Sequence, residues 1–125
     1  MKKLNFLLLS LLSLVLFSCS GSDTFQGTWK CMNGLEEKFE INFTPDHVTV
    51  VQDGKTLVDS DYSQYAYSNQ NGIISYTIQG DNIGAWIVHF PYEDNKKKGL
   101  ILDGEQQVIC TISKEDYQKI EQIVD

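Results

Sequence analysis

The sequence predicts an all-β fold: a small antiparallel up-and-down barrel of about eight strands, followed by a C-terminal helix. Three observations predict it. Apolar residues alternate with polar ones in short runs from Phe25 to Ile112. Turn signals recur roughly every 8 to 12 residues between those runs. No long helical stretch interrupts them, so strands that follow one another should lie side by side. A sheet of that many strands tends to curl and close, which removes its exposed edges.

The elements follow in order. The first strand opens around Gly27 and Trp29. Phe39, Ile41 and Phe43 alternate with Glu40 and Asn42, as in a half-buried strand, and Pro45-Asp46 turns the chain. Val48 and Val50 continue the alternation up to Asp53-Gly54, a strong hairpin signal. Leu57 belongs to a short strand expected to end near Asp59-Ser60-Asp61. Tyr65 and Tyr67 then share a face, and Asn69 to Gly72 turns. Ile74, Tyr76 and Ile78 form the next strand, with a turn at Gly80-Asp81-Asn82. Trp86, Val88 and Phe90 form the clearest strand, closed by Pro91, which donates no ladder bond. Glu93 to Gly99 is a loop, with the basic cluster Lys96-Lys97-Lys98 at its tip. Leu100 and Leu102 precede the Asp103-Gly104 turn, and Val108, Cys110 and Ile112 alternate in the last strand. In the tail, Ser113 and Asp116 resemble a capping box, and Tyr117, Ile120 and Ile123 recur at helical spacing. These predict a helix from about 114 to 123.

The N-terminus carries a different kind of signal. Lys2 and Lys3 precede an apolar run from Leu4 to Phe17. That run is shorter than the ~20 apolar residues a membrane-spanning helix needs. A short apolar run behind a positive start reads as a secretory signal peptide. The residues that close it, Leu16-Phe17-Ser18-Cys19, resemble the lipobox of bacterial lipoproteins. The resemblance implies cleavage after residue 18 and a lipid on Cys19. Acyl chains there would hold the chain on a membrane without any spanning segment. The organisation expected is a signal peptide over 1–18, a lipidated Cys19 with a polar tether over 19–24, and one barrel domain over 25–125. The location implied is the bacterial cell envelope, with the outer membrane favoured by the neutral Ser20 after the cysteine.

Phe25-Gln26-Gly27-Thr28-Trp29-Lys30 resembles the glycine-x-tryptophan signature that opens lipocalin-like barrels. The resemblance implies a closed barrel whose tryptophan plugs one end, around a cavity for a small apolar ligand. In that family a late basic residue, usually arginine, packs on the tryptophan. This chain contains no arginine, and Lys114 is the candidate in its place.

Composition narrows the chemistry. The net charge is −7. An acidic chain without arginine is a poor nucleic-acid binder, and its one basic cluster, Lys96-Lys97-Lys98, reads as a solvated tip. His47 and His89 have no second ligand at metal-binding spacing, and no nucleophile-elbow or phosphate-loop pattern occurs. The pairs Glu36-Glu37 and Asp59/Asp61 read as turn and strand-end chemistry. The expectation is a protein that is not an enzyme and uses no cofactor or metal. Cys31 and Cys110 fall in the first and last strands, so the alternatives are a disulfide across them and two buried thiols. The aromatic residues are the richest feature. Tyr65, Tyr67, Tyr76 and Trp86 are the expected lining of a ligand pocket or its mouth. Two functions follow. One is a membrane-anchored module that binds a small apolar or amphipathic molecule. The other is an envelope accessory module with a filled barrel, acting on a protein partner through its outer surface.

Overall fold

The computed structural model describes residues 20–124. The signal-peptide reading and Cys19 lie outside the described residues. The expected all-β barrel is what forms: eight antiparallel strands in sequential order, closed by pairing of the last with the first. They are β1 (Gly27–Asn33), β2 (Lys38–Phe43), β3 (His47–Gln52), β4 (Lys55–Gln70), β5 (Ile73–Gly80), β6 (Gly84–Phe90), β7 (Lys98–Asp103) and β8 (Val108–Ser113).

One end of the barrel is plugged with aromatic rings. A short 3-10 turn, Asp23–Phe25, drives the fully buried Phe25 into the barrel mouth. There its ring sits 5.0 Å from Phe43 and 5.2 Å from Tyr76. The Tyr62 hydroxyl closes the plug by donating to the Thr44 carbonyl and accepting from Gln26 Nε2. The residues expected to be a tether are part of this plug. Gly21 N donates to the Pro45 carbonyl, Ser22 N donates to Gln64 Oε1, and Ser22 Oγ caps the 3-10 turn. Gly21 lies so close to Tyr62 and Phe25 that a Cβ there would overlap both.

Trp29 is the largest fully buried side chain. Its indole N–H donates to the Phe25 carbonyl at 2.9 Å. The Lys114 ammonium lies 4.3 Å from the Trp29 ring centroid, a cation–π arrangement, and donates to the Gln26 carbonyl at 2.7 Å. Gly27 has φ +95, and a Cβ there would stand 2.6 Å from Lys114 Nζ. The glycine is therefore needed for its backbone conformation and for the room it leaves.

Three local expectations are corrected. Asp59-Ser60-Asp61 is not a turn but the interior of the long β4. Ser60 points inward and accepts from Asn82 N, while both aspartates point outward to His47. A polar stretch that suggests a chain break is a strand segment with a buried serine between two solvated aspartates. In β7 the deeply buried residue is Ile101, out of phase with Leu100 and Leu102. Leu100 is also buried, on the outer face, because the C-terminal tail covers that side. The helix expected over 114–123 is shorter, α1 (Ile120–Val124). Residues 114–119 spend their polar groups on local alternatives to helical hydrogen bonds. Ser113 Oγ accepts from Glu115 N, Asp116 Oδ1 from Tyr117 N, and Gln122 Oε1 from Lys119 N. Thr111 Oγ1 draws the tail onto the barrel by donating to the Gln118 carbonyl.

Truncation of Trp29 tests the closure. Trp29→Ala is expected to cost about 3–5 kcal/mol, the usual range for a buried large aromatic. Lys114→Ala is expected to cost about 1 kcal/mol through the lost cation–π and carbonyl contacts. Urea denaturation measures both, and an unchanged midpoint for Trp29→Ala would contradict the plugged-barrel geometry.

Candidate functional site

The opposite end of the barrel carries the β1–β2, β3–β4 and β7–β8 turns and holds a cavity of about 260 Å³. Its floor is made by Ile41, Val50, Ile101 and Cys110, all buried side chains of the inner face. Phe39, Val58, Trp86 and Ile109 form the walls. Asn33, Glu37, Gln52 and Leu57 stand at the mouth. The sheet makes this arrangement by alternation: every second residue points inward, and the even strands begin where the odd ones end. A register shift in the β7–β8 pairing between Ile101 and Leu102 adds Ile109 to the wall beside Cys110 and leaves Val108 outside.

The mouth is polar but ordered. Asn33 Nδ2 donates to Glu37 Oε1 at 2.8 Å, and Asn33 Oδ1 accepts from the backbone N–H groups of Leu35 and Glu37. One asparagine thereby shapes the β1–β2 turn and orients a carboxylate at the rim. Leu35 and Leu57 are the most exposed aliphatic side chains in the domain's described residues, at 81% and 55%. Both belong to this end. The result is an apolar well with a carboxylate and two amides at its edge, which suits a small ligand with an apolar body and a polar head.

The four aromatic residues expected to line one pocket are not together. Only Trp86 lines the cavity. Tyr76 is buried in the plug at the other end, 5.2 Å from Phe25. Tyr65 and Tyr67 are more than half exposed on β4, and Tyr67, the cross-strand partner of Tyr76, packs beside it on the same face at 5.3 Å. The correction has a simple cause. Ring content marks the plug as well as the cavity, and composition does not say which end is filled. Strand parity would have found the lining: the inward residues that open β2, β4, β6 and β8 and close β3 and β7 all meet at one end.

Cys31 and Cys110 come to neighbouring strands, as the disulfide reading required, and both are buried free thiols. Burial, and then the neighbouring Cys110 thiol, push the Cys31 thiol far above its ordinary range. Cys31 is therefore held protonated, donating to the Trp29 carbonyl at 3.5 Å. Cys110 forms part of the cavity floor.

The histidines lie on the outer face. Both ring nitrogens of His47 meet carboxylates, Nδ1 with Asp61 at 2.9 Å and Nε2 with Asp59. These partners raise its pKa. His89 pairs with the Ser75 hydroxyl at 2.7 Å, and burial lowers its pKa. Among the described residues, no group of three or more His, Cys, Asp or Glu side chains is placed to hold a metal ion.

Two measurements check these environments. The imidazole of a free histidine titrates near 6.5. In an NMR titration His47 is expected above that value and His89 below it, with Asp61→Asn lowering only the His47 midpoint. The stability signs are opposite. The His47 contribution is present below the unfolded value and lost as pH rises through its raised folded value. The His89 contribution is present at higher pH and lost as pH falls below the unfolded value. For the cysteines, a thiol reagent is expected to find both unreactive in the native domain and both reactive after denaturation. No thiol after denaturation would show a bond between them. No protein-family model, curated protein or solved structure matches the chain, so the reading of this site rests on its own geometry.

Proposed function

We propose that this chain is a lipoprotein of the bacterial envelope, anchored through Cys19, whose barrel binds a small apolar or amphipathic molecule at its open end. The carrying observation is the contrast between the two ends. One is packed with Phe25, Phe43, Tyr62 and Tyr76, and the other keeps an apolar cavity of about 260 Å³. A domain of this size stabilised only by its core has no reason to leave apolar surface unfilled, since each void forfeits contacts. Pockets for drug-sized ligands usually run from ~300 to 1,000 Å³. This one lies below that range, which favours a short chain or a single ring. The Gly27, Trp29 and Lys114 arrangement supports the lipocalin-like resemblance, because a basic side chain covers the tryptophan although no arginine is available. The outer-surface alternative, with a protein partner in the envelope, draws its support from the filled half of the barrel and leaves the open half unexplained.

Mass spectrometry of protein purified from membranes tests both parts at once. Acyl chains on Cys19 persist on denaturation, whereas a carried ligand is lost. The expected result is a chain lacking residues 1–18, with covalent acyl mass and a further mass seen only in the native state. Val58→Trp fills the cavity wall and is expected to weaken binding of a neutral fluorescent probe such as N-phenyl-1-naphthylamine by at least about tenfold, or 1.4 kcal/mol. Unchanged probe binding in that variant, with the fold intact, would remove the cavity from consideration.

A further inference from the structure

β4 is far longer than its neighbour on one side. β3 pairs with it only from Lys55 to Asp61, while β5 pairs with it from Tyr62 to Gln70. Among the described residues, no strand pairs with the other edge of β4 beyond Asp61. The β4–β5 hairpin therefore projects from the plugged end with one open edge. An open edge is a row of unpaired backbone donors and acceptors, a ready template for another extended chain.

The register identifies which groups are open. Asn71-Gly72, with φ 57 and 88, is a two-residue hairpin turn. Such a turn is flanked by a hydrogen-bonded pair, here Gln70 and Ile73. Alternation along the ladder then makes Ser68↔Ser75 and Ala66↔Thr77 the next hydrogen-bonded pairs. Tyr67 and Asn69 consequently turn their N–H and C=O groups away from β5, toward the open edge. The register shift between Gln64 and Ala66 sets the limit of the regular segment, which runs from Ala66 to Gln70 and centres on Ser68.

Soluble proteins usually blunt such an edge with lysine, proline or an inward charge. The segment from Ala66 to Gln70 carries none of them, and the bulge, a further device of this kind, falls at its border between Gln64 and Ala66. From Tyr62 through Gly80 the sequence contains no Asp, Glu, Lys, Arg, His or Pro. The chain as a whole has a net charge of −7. Two copies repel each other over most surfaces, and the β4–β5 hairpin is where they can meet without opposing like charges.

We propose that this edge joins two copies of the chain, β4 to β4, antiparallel about a two-fold axis through Ser68. In that register Tyr67 faces Asn69 of the second copy, and the reverse, and each pair exchanges both backbone hydrogen bonds. Ser68 faces its own counterpart as a non-hydrogen-bonded pair, with Cα atoms about 4.5 Å apart. The half-exposed rings of Tyr65 and Tyr67 flank the new ladder and lose solvent on pairing. The cavity lies at the other end of the barrel and takes no part in the contact.

The test uses the domain from residue 20 onward, which contains the closed barrel and its whole core. Sedimentation equilibrium is expected to show a concentration-dependent dimer. Ser68→Cys is expected to cross-link into a covalent dimer on mild oxidation, because the two Cα atoms fall inside the range a disulfide spans. Cys31 and Cys110 are buried and do not compete. Ser68→Lys places two ammonium groups face to face and is expected to be monomeric, with the melting temperature of the wild type at a dilution where it too is monomeric. A wild-type monomer up to millimolar concentration would overturn the proposal. So would a dimer that persists in Ser68→Lys, or a Ser68→Cys protein that dimerises without cross-linking.

Discussion

The closure of the barrel between β1 and β8 is the constraint on which the rest of this structure depends, and it is held by a small set of contacts around Trp29. The indole is fixed from below by the Phe25 carbonyl and covered from outside by the Lys114 ammonium. Those partners come from opposite ends of the domain's sequence, so the contact joins the N-terminal plug, the first strand and the segment after the last strand. Desolvation lowers the Lys114 pKa, a cost opposed by its contacts with the ring and with the Gln26 carbonyl. Gly27 makes the approach possible, because any side chain there would occupy the space of the ammonium. A glycine, a tryptophan and a distant lysine thus act as one device.

Much of this was legible in the sequence, for identifiable reasons. Trp86, Val88 and Phe90 alternate strictly, and period-two alternation has one structural solution on a half-buried sheet. The turns at Asp53-Gly54 and Asn71-Gly72 need positive φ and carry residues that adopt it. The reading failed where one residue type serves two purposes. Asp59, Ser60 and Asp61 suit a turn, but in β4 they serve as a solvated face and a buried hydroxyl. Leu100 and Ile101 are both buried because β7 is covered on both sides, so alternation gave no phase. The cavity was the least legible part. Its floor and walls are assembled from six strands and become visible only when strand direction is combined with the identity of the plugged end. Trp86 was found because it is large, whereas Val50, Val58 and Ile109 look like ordinary core.

The two ends of the barrel divide the work. The plugged end concentrates aromatic area, whose tilted and edge-to-face contacts supply stability in a small domain. That packing allows the other end to remain hollow. The Lys96 ammonium reinforces the plugged end by bridging the carbonyls of Gly72, Tyr92 and Glu93, which ties the β4–β5 turn to the β6–β7 loop. The projecting hairpin is thereby held as an extension of the barrel, with its outer edge open.

The pinning of Gly21 and Ser22 to the plug has a consequence for orientation. Only Cys19 and Ser20 would separate a lipid at Cys19 from the folded domain. At 3.3–3.6 Å per residue, that leash reaches about 7 Å, about the thickness of one headgroup layer. A single copy on such a leash would rest with its plugged end toward the membrane, like a cup on its base, whereas antiparallel β4–β4 pairing points the two plugged ends in opposite directions, so both could not rest on one bilayer. For a single copy anchored in that way, the rim with Glu37, Leu35 and Leu57 would face the aqueous space, and the cavity would open on the side away from the membrane.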